Sequence, residues 1–310
     1  MTTSTPPRKR ILRILPILLL GAALILVGAC GDNADDAGGP GGSATTENAS
    51  GIPKRIVSLS PTATEMLFAI DAGEQVVAVD DQSNFPPEAP ITDLSGYQPN
   101  VEAIAGYQPD LVVLSGDAGG VVAGLNALGI TTRIDPAART LDDTYGQIAE
   151  LGMATGHEDA AAALVAGMRK GIDEQMARVP KRPQPLTYYH ELEDTLFTAT
   201  SQTFIGEVYR LAGLENVADP ADADGQSGGY PQLSPEFLVD ADPDVIFLAD
   251  TKCCQQTAET VAARPGFGGL SALANGRVVE LDDDVASRWG PRIVELLRTV
   301  VDATAAVPVG

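Results

Sequence analysis

The chain has 310 residues, with 20 Lys and Arg against 42 Asp and Glu, a formal charge of −22, two histidines and three cysteines. That charge repels polyphosphate and excludes a surface that tracks nucleic acid. Two imidazoles are too few for a site that captures free zinc or manganese, so no resident metal or cofactor is expected.

Arg8, Lys9, Arg10 and Arg13 precede the apolar run Ile14 to Val27, which is short for a membrane span and interrupted by Pro16. The run ends at Val27-Gly28-Ala29-Cys30, which resembles the lipobox of bacterial lipoproteins. That resemblance implies a signal peptide over 1–29 and a lipid on Cys30. Gly31 to Gly51 is small, polar and acidic without an apolar period, and reads as a tether, giving a lipidated tether over 30–52.

A strand is predicted over Ile56 to Leu59, then a helix from Pro61 whose cap is either Ser60 or Thr62 with Glu65 in a capping box. Glu65 is read first as a helix-start residue. Gln75 to Val79 is the second strand, and the loop after it offers Asp81, Gln82 and the ring of Phe85. Ser95 to Pro99 offers Tyr97, and Ser115 to Gly120 offers Asp117. Rings and polar groups on loops at strand ends are candidate cleft residues. The glycines of the last loop lack the nucleotide fingerprint and its lysine. Leu111 to Leu114 and Thr131 to Ile134 read as strands, Val121 to Leu128 as a helix, and Leu141 to Leu151 as a helix capped by Thr140 with Asp143.

The stretch His157 to Val179 carries Leu164, Met168, Ile172, Met176 and Val179 on one stripe of a long helix, stopped by Pro180. The segments on either side of it say much the same thing. Asn100 to Leu114 reads NVEAIAGYQPDLVVL and Ser234 to Leu248 reads SPEFLVDADPDVIFL. Each has a capping residue, a glutamate two residues on, and a Pro-Asp pair leading into an apolar strand. Strands alternating with helices predict mostly parallel sheets, here in two like lobes. The boundaries are 53–156 for the N-terminal lobe, 157–180 for the linking helix and 181–310 for the C-terminal lobe.

In the second lobe, Leu186 to Tyr189 is a predicted strand and His190-Glu191 begins the loop beyond it. His190 is a candidate pocket residue. Cys253 and Cys254 form a vicinal disulfide, remain free, or pair between molecules. Asp282 to Asp284 reads as a solvated or capping cluster. Arg288 is placed near the ligand, and Trp289 belongs either to core or to cleft. No nucleophile, base and orienter can be assembled, so catalysis is not expected. The rival reading is a doubly wound hydrolase with one continuous sheet.

From about Pro53 to Ala303 the chain resembles the solute-binding proteins of bacterial ABC importers for vitamin B12, ferric siderophores and haem. The resemblance rests on Arg55 to Pro61 with Thr64-Glu65, on Asn100-Val101-Glu102 with Pro109 to Val112, on Ala263 to Phe267, on Gly276 to Val278 and on Gly290 to Arg292. It implies two Rossmann-like lobes joined by a single long helix, with ligand held between them. It also implies a lipid-anchored monomer on the outer face of the cytoplasmic membrane, serving a permease dimer and its ATPase. Glu102 and Glu236 match the two glutamates that meet permease arginines in that family. Ser83 to Pro87 resembles a segment of the cobalamin-binding members, and Tyr97 stands where they carry a tryptophan. A corrinoid, cobalamin above all, is therefore the expected ligand. It would be held by Asp81, Gln82, Phe85, Tyr97, Asp117, His190, Glu191, Arg288 and Trp289, with a ferric siderophore or haem as the alternative.

Overall fold

The computed structural model of the protein describes residues 51–309, so the expected signal peptide, the Cys30 lipidation site and all but the end of the tether lie outside the described residues. β1 (Ile56–Leu59), β2 (Val76–Asp80), β3 (Ile91–Leu94), β4 (Leu111–Leu114) and β5 (Thr131–Ile134) form a parallel sheet in the order β3-β2-β1-β4-β5. Around it lie α1 (Pro61–Ala69), α2 (Val101–Ala105), α3 (Val121–Ala127), α4 (Leu141–Thr155) and α5 (Glu158–Met176). β6 (Leu186–Glu191), β7 (Leu214–Asn216), β8 (Val245–Leu248) and β9 (Val278–Glu280) form a second parallel sheet, ordered β7-β6-β8-β9. Its helices are α6 (Phe204–Leu211), α7 (Pro235–Ala241), α8 (Ala258–Ala262), α9 (Ser271–Ala274), α10 (Asp283–Ser287) and α11 (Ile293–Ala305). Two separate sheets exclude the single continuous sheet that the hydrolase reading required.

The sequence repeat is a topological repeat. β2-β1-β4-β5 and β7-β6-β8-β9 share one order, and β3 is an added edge on the first sheet. The repeated Pro-Asp pair has a structural task in both halves. Asp110 accepts hydrogen bonds from the backbone of Lys54 and Arg55 at 2.8 and 3.0 Å, and Asp244 accepts from the Thr187 amide at 2.9 Å. Each aspartate thus ties the start of the central strand to the strand beside it, satisfying amides that the ladder leaves open.

β1, β4 and β8 are buried along their whole length, as apolar strands covered on both faces must be. One apolar core runs through both lobes, joining Met66 and Leu67 of α1, Ile148 and Leu151 of α4 and Met168 and Ile172 of α5 to Tyr209, Phe247, Leu297 and Val300. α4, α5 and α11 therefore knit the two sheets together.

Several boundaries differ from those predicted. α5 ends at Met176 rather than reaching Val179: the next residues tighten into turns, with the Arg178 amide donating to the Gln175 carbonyl and the Val179 amide to the Met176 carbonyl, before Pro180 bars any return to helix. α4 continues past Leu151 to Thr155 and stops at Gly156, whose φ of 77° closes it. β6 runs on through His190 and Glu191, which pair with Phe247 and Leu248, so these residues belong to a strand and not to a loop. β3 and β7 were not anticipated: one is a largely exposed edge and the other has three residues. Among the described residues no helix is long and apolar enough to cross a membrane.

Candidate ligand-binding cleft

A cavity of about 240 Å³ lies at the C-terminal ends of β1, β2 and β4, where ligands of open α/β sheets are held. Ser60, Thr62, Asp80, Gln82, Tyr97 and Ser115 line it from the first lobe, and Asp284, Ser287, Arg288 and Trp289 line it from the end of the second. Local sequence explains the frame. Ser60 is the cap of α1, its hydroxyl accepting from the Ala63 amide, which settles the choice between Ser60 and Thr62. Gly96 lies so close to the strand ends that an added Cβ would sit 2.6 Å from the Leu59 carbonyl oxygen and 2.8 Å from Asp80 Oδ2. Only glycine allows that approach.

One wall is held by a buried ion cluster. Glu65 is 3% exposed; its Oε1 accepts from Arg288 Nη1 at 2.8 Å, and its Oε2 accepts from Arg292 Nε at 2.9 Å. Arg288 also donates through Nη2 to the Gln82 carbonyl, Asn84 Oδ1 and Asp284 Oδ1, all at 2.8–2.9 Å. Arg292 lies 4.2 Å over the ring of Phe85, a cation–π contact. Glu65 is therefore more than a helix-start residue. It is the shared counter-ion of two arginines, and it joins α1 to the segment between α10 and α11.

Of the residues expected to meet ligand, Gln82, Tyr97, Arg288 and Trp289 line the cavity together. Tyr97 is 83% exposed, while Trp289 is half-buried and donates from Nε1 to Gln147 Oε1 at 3.0 Å. Phe85 is partly exposed beneath Arg292, outside the lining. Asp81 is exposed beside the cavity. Asp117 is exposed too, and its carboxylate accepts from the Val122 amide at the start of α3. The cavity also contains Asp80, which sequence reasoning passed over in favour of its neighbour Asp81.

His190 and Glu191 are fully buried within β6. His190 Nδ1 is 2.7 Å from the Tyr209 hydroxyl, and burial pulls the ring down to a pKa of about 3, so the imidazole is neutral. Glu191 is gripped in bidentate fashion by Arg264 at 2.5 and 2.6 Å. Beside it Asp250 is wholly buried, with neither carboxylate oxygen hydrogen-bonded as an acceptor. Burial first, and the Glu191 charge second, push Asp250 up to about 7 against the pull of Arg264.

Cys253 and Cys254 are bonded to each other in the loop after β8. Asp282 caps α10 by accepting from the Asp284 and Val285 amides, and Asp283 accepts from the amides of Thr251, Lys252 and Cys253. Among the described residues no group of three or more His, Cys, Asp or Glu is arranged to hold a metal ion. Glu102 and Glu236 are exposed at the second positions of α2 and α7, whose starts are capped by Asn100 and Ser234.

A bilobed α/β architecture with a cavity at the strand ends is the architecture of solute-binding proteins. The model of the periplasmic binding protein family matches residues 56–285, and the chain belongs to that family of non-catalytic, extracytoplasmic ligand-capture proteins of ABC importers. It is 34% identical over 260 residues to a cobalamin-binding protein of Halobacterium salinarum, covering 81% of this chain and 69% of that one. The structure is similar to the periplasmic vitamin B12 binding protein of Vibrio cholerae, with a TM-score of 0.66 and 27% identity over 82% of this chain and 97% of that one. It is equally similar to a periplasmic heme-binding protein of Roseiflexus, with a TM-score of 0.68 and 25% identity over 81% and 99%.

Proposed function

We propose that the protein captures a corrinoid, cobalamin above all, and delivers it to an ABC importer as a monomer anchored by a lipid on Cys30 to the outer face of the cytoplasmic membrane. The observation that carries the ligand reading is the state of Arg288. Among the described residues it is the one cation lining the cavity, and its guanidinium is occupied by Glu65, Gln82, Asn84 and Asp284. Haem propionates or an anionic siderophore call for free arginine or lysine. Cobalamin is nearly neutral and fringed with amides, and suits aromatic surface with scattered polar groups, which Tyr97, Trp289, Gln82 and Ser115 offer. At about 240 Å³ the cavity is below the roughly 300–1,000 Å³ of pockets that enclose drug-sized ligands, so it receives an edge of the corrinoid and its peripheral amides.

Exposed Glu102 and Glu236, matched in the two lobes, are proposed to meet basic residues of the two permease subunits. Charge complementarity of that kind fixes orientation and speeds encounter. Calorimetric titration with cyanocobalamin tests the ligand. Heat of binding with no response to haem supports the corrinoid; silence with cyanocobalamin and binding of a neutral or cationic ferric siderophore assigns the cavity to iron uptake.

A further inference from the structure

We infer that Asp80 is the polar anchor of the cavity, a ligand-contacting residue that accepts an N–H donor from the ligand and turns carboxylate-bearing ligands away; this rests on the reading of the cavity as the ligand site. Asp80 ends β2 and lines the cavity, is 1% exposed, and carries an oxygen, Oδ1, that is buried without a hydrogen-bond partner. A buried acceptor left open is costly and calls for an explanation. Its position is imposed, because the backbone of Gly96 packs against Oδ2 so closely that an added Cβ would stand at 2.8 Å.

The charged groups around it do not supply the missing donor. Asp81 adjoins it, and Arg288 faces it with Glu65 and Asp284 behind, yet the Arg288 hydrogen bonds go to Glu65, Gln82, Asn84 and Asp284. Burial, helped by the Asp81 charge, raises the Asp80 carboxyl above its ordinary range, with the Ser83 hydroxyl and amide and Arg288 opposing. What the wall lacks is an N–H from outside. The peripheral amides of a corrinoid or the ammonium of a cationic siderophore provide one. A carboxylate entering here meets Asp80 and Asp284 instead.

The test is calorimetric titration of cyanocobalamin into the full chain in detergent, for wild type, Asp80→Ala and Asp80→Asn, from about pH 4.5 to 8, with thermal melting of each. Asp80→Ala is expected to weaken binding about tenfold or more. Wild-type affinity is expected to rise with pH as the carboxyl ionises, and the Asp80→Asn profile to be flat. An Asp80→Ala affinity within about twofold of wild type, or an Asp80→Asn profile that keeps the wild-type slope, overturns the anchor. Should Asp80→Ala fail to fold, the Asp80→Asn profile decides alone. If cyanocobalamin does not bind wild type, the corrinoid reading fails, and the same series with ferrioxamine B, a cationic ferric hydroxamate, tests Asp80 separately. Binding of neither probe by wild type overturns the anchor as well.

Discussion

Replacing Glu65 by alanine removes one carboxylate and strands two guanidinium groups. Arg288 is 8% exposed at the side chain and Arg292 15%, against 2% for Glu65, so none of the three is well hydrated once the cluster is broken. Removing one partner of a buried ion pair costs about 3–5 kcal/mol, because the remaining charge has no replacement for water. Arg288 keeps Asp284 and Asn84, which limits its loss; Arg292 keeps the face of Phe85 and the charges of Asp282 and Glu295. The lower half of that range, about 3–4 kcal/mol, is therefore expected. At roughly 2–4 °C per kcal/mol for a chain of this size, the thermal midpoint of Glu65→Ala should fall by about 6–16 °C. The triple variant Glu65→Leu, Arg288→Met, Arg292→Met, which removes Glu65 and both of its arginines and leaves Asp284 paired with Lys252, should recover a large part of that loss, since buried ions return little beyond their own desolvation. Differential scanning calorimetry of the three proteins is the assay. A Glu65→Ala midpoint within about 2 °C of wild type would refute the reasoning and return Glu65 to the role of a residue that merely starts a helix.

Two buried groups give opposite pH dependences. Asp250, raised in the folded chain to about 7, stabilises below its ordinary range and loses that contribution as pH climbs through about 7; His190, depressed to about 3, stabilises above the ordinary histidine value and loses that contribution as pH falls. Denaturant unfolding of Asp250→Asn should therefore show a steeper loss of stability than wild type as pH is lowered from about 6.5 to 4, and an unchanged slope would contradict the assignment. Glu102→Lys with Glu236→Lys should leave ligand affinity in solution unchanged and abolish uptake by cells that make the protein in normal amount; wild-type uptake would return both glutamates to the bland role of favouring a helix dipole, worth at most about 1 kcal/mol. Counting thiols in the unfolded, unreduced chain should find neither Cys253 nor Cys254 reactive, and Cys253→Ser with Cys254→Ser should bind ligand as wild type does; two reactive thiols would contradict the bond between them.

The parts of the fold that were legible in sequence are those fixed by neighbours in the chain. Ser60, Asn100, Thr140, Thr203 and Ser234 each accept a hydrogen bond from an amide three residues ahead, so the helix starts could be read from short words. The buried strands IVSL, LVVL and VIFL announce themselves as apolar runs between turn signals. The ion cluster behind the cavity was not legible, because Glu65 and Arg288 are 223 residues apart and each is plausible alone as a surface charge. Asp80 and Asp81 show the limit at closer range. Successive residues at a strand end point to opposite sides, and only the placement of Gly96 and Arg288 decides that Asp80 faces the cavity while Asp81 faces water.

The two halves share one strand order, yet their strand ends are not alike. A position just past the predicted strand Leu186 to Tyr189 made His190 a candidate pocket residue, whereas β6 runs on through His190 and Glu191. The halves differ in what covers those ends. In the first lobe Asp80 ends β2 and Ser115 follows β4, and both line a cavity. At the matching end of the second lobe, Arg264 beyond α8 closes over Glu191, with Gln256 bonded to the same guanidinium and Asp250 buried near Glu191, its carbonyl accepting from the Cys254 amide. His190 on the other face of β6 is covered by Tyr209 of α6. Arg264, supplied from outside the repeated segments, and Tyr209 thus turn this strand end into buried structure, and the polar groups that line the cavity come from the first lobe and from the segment that carries Arg288 and Trp289.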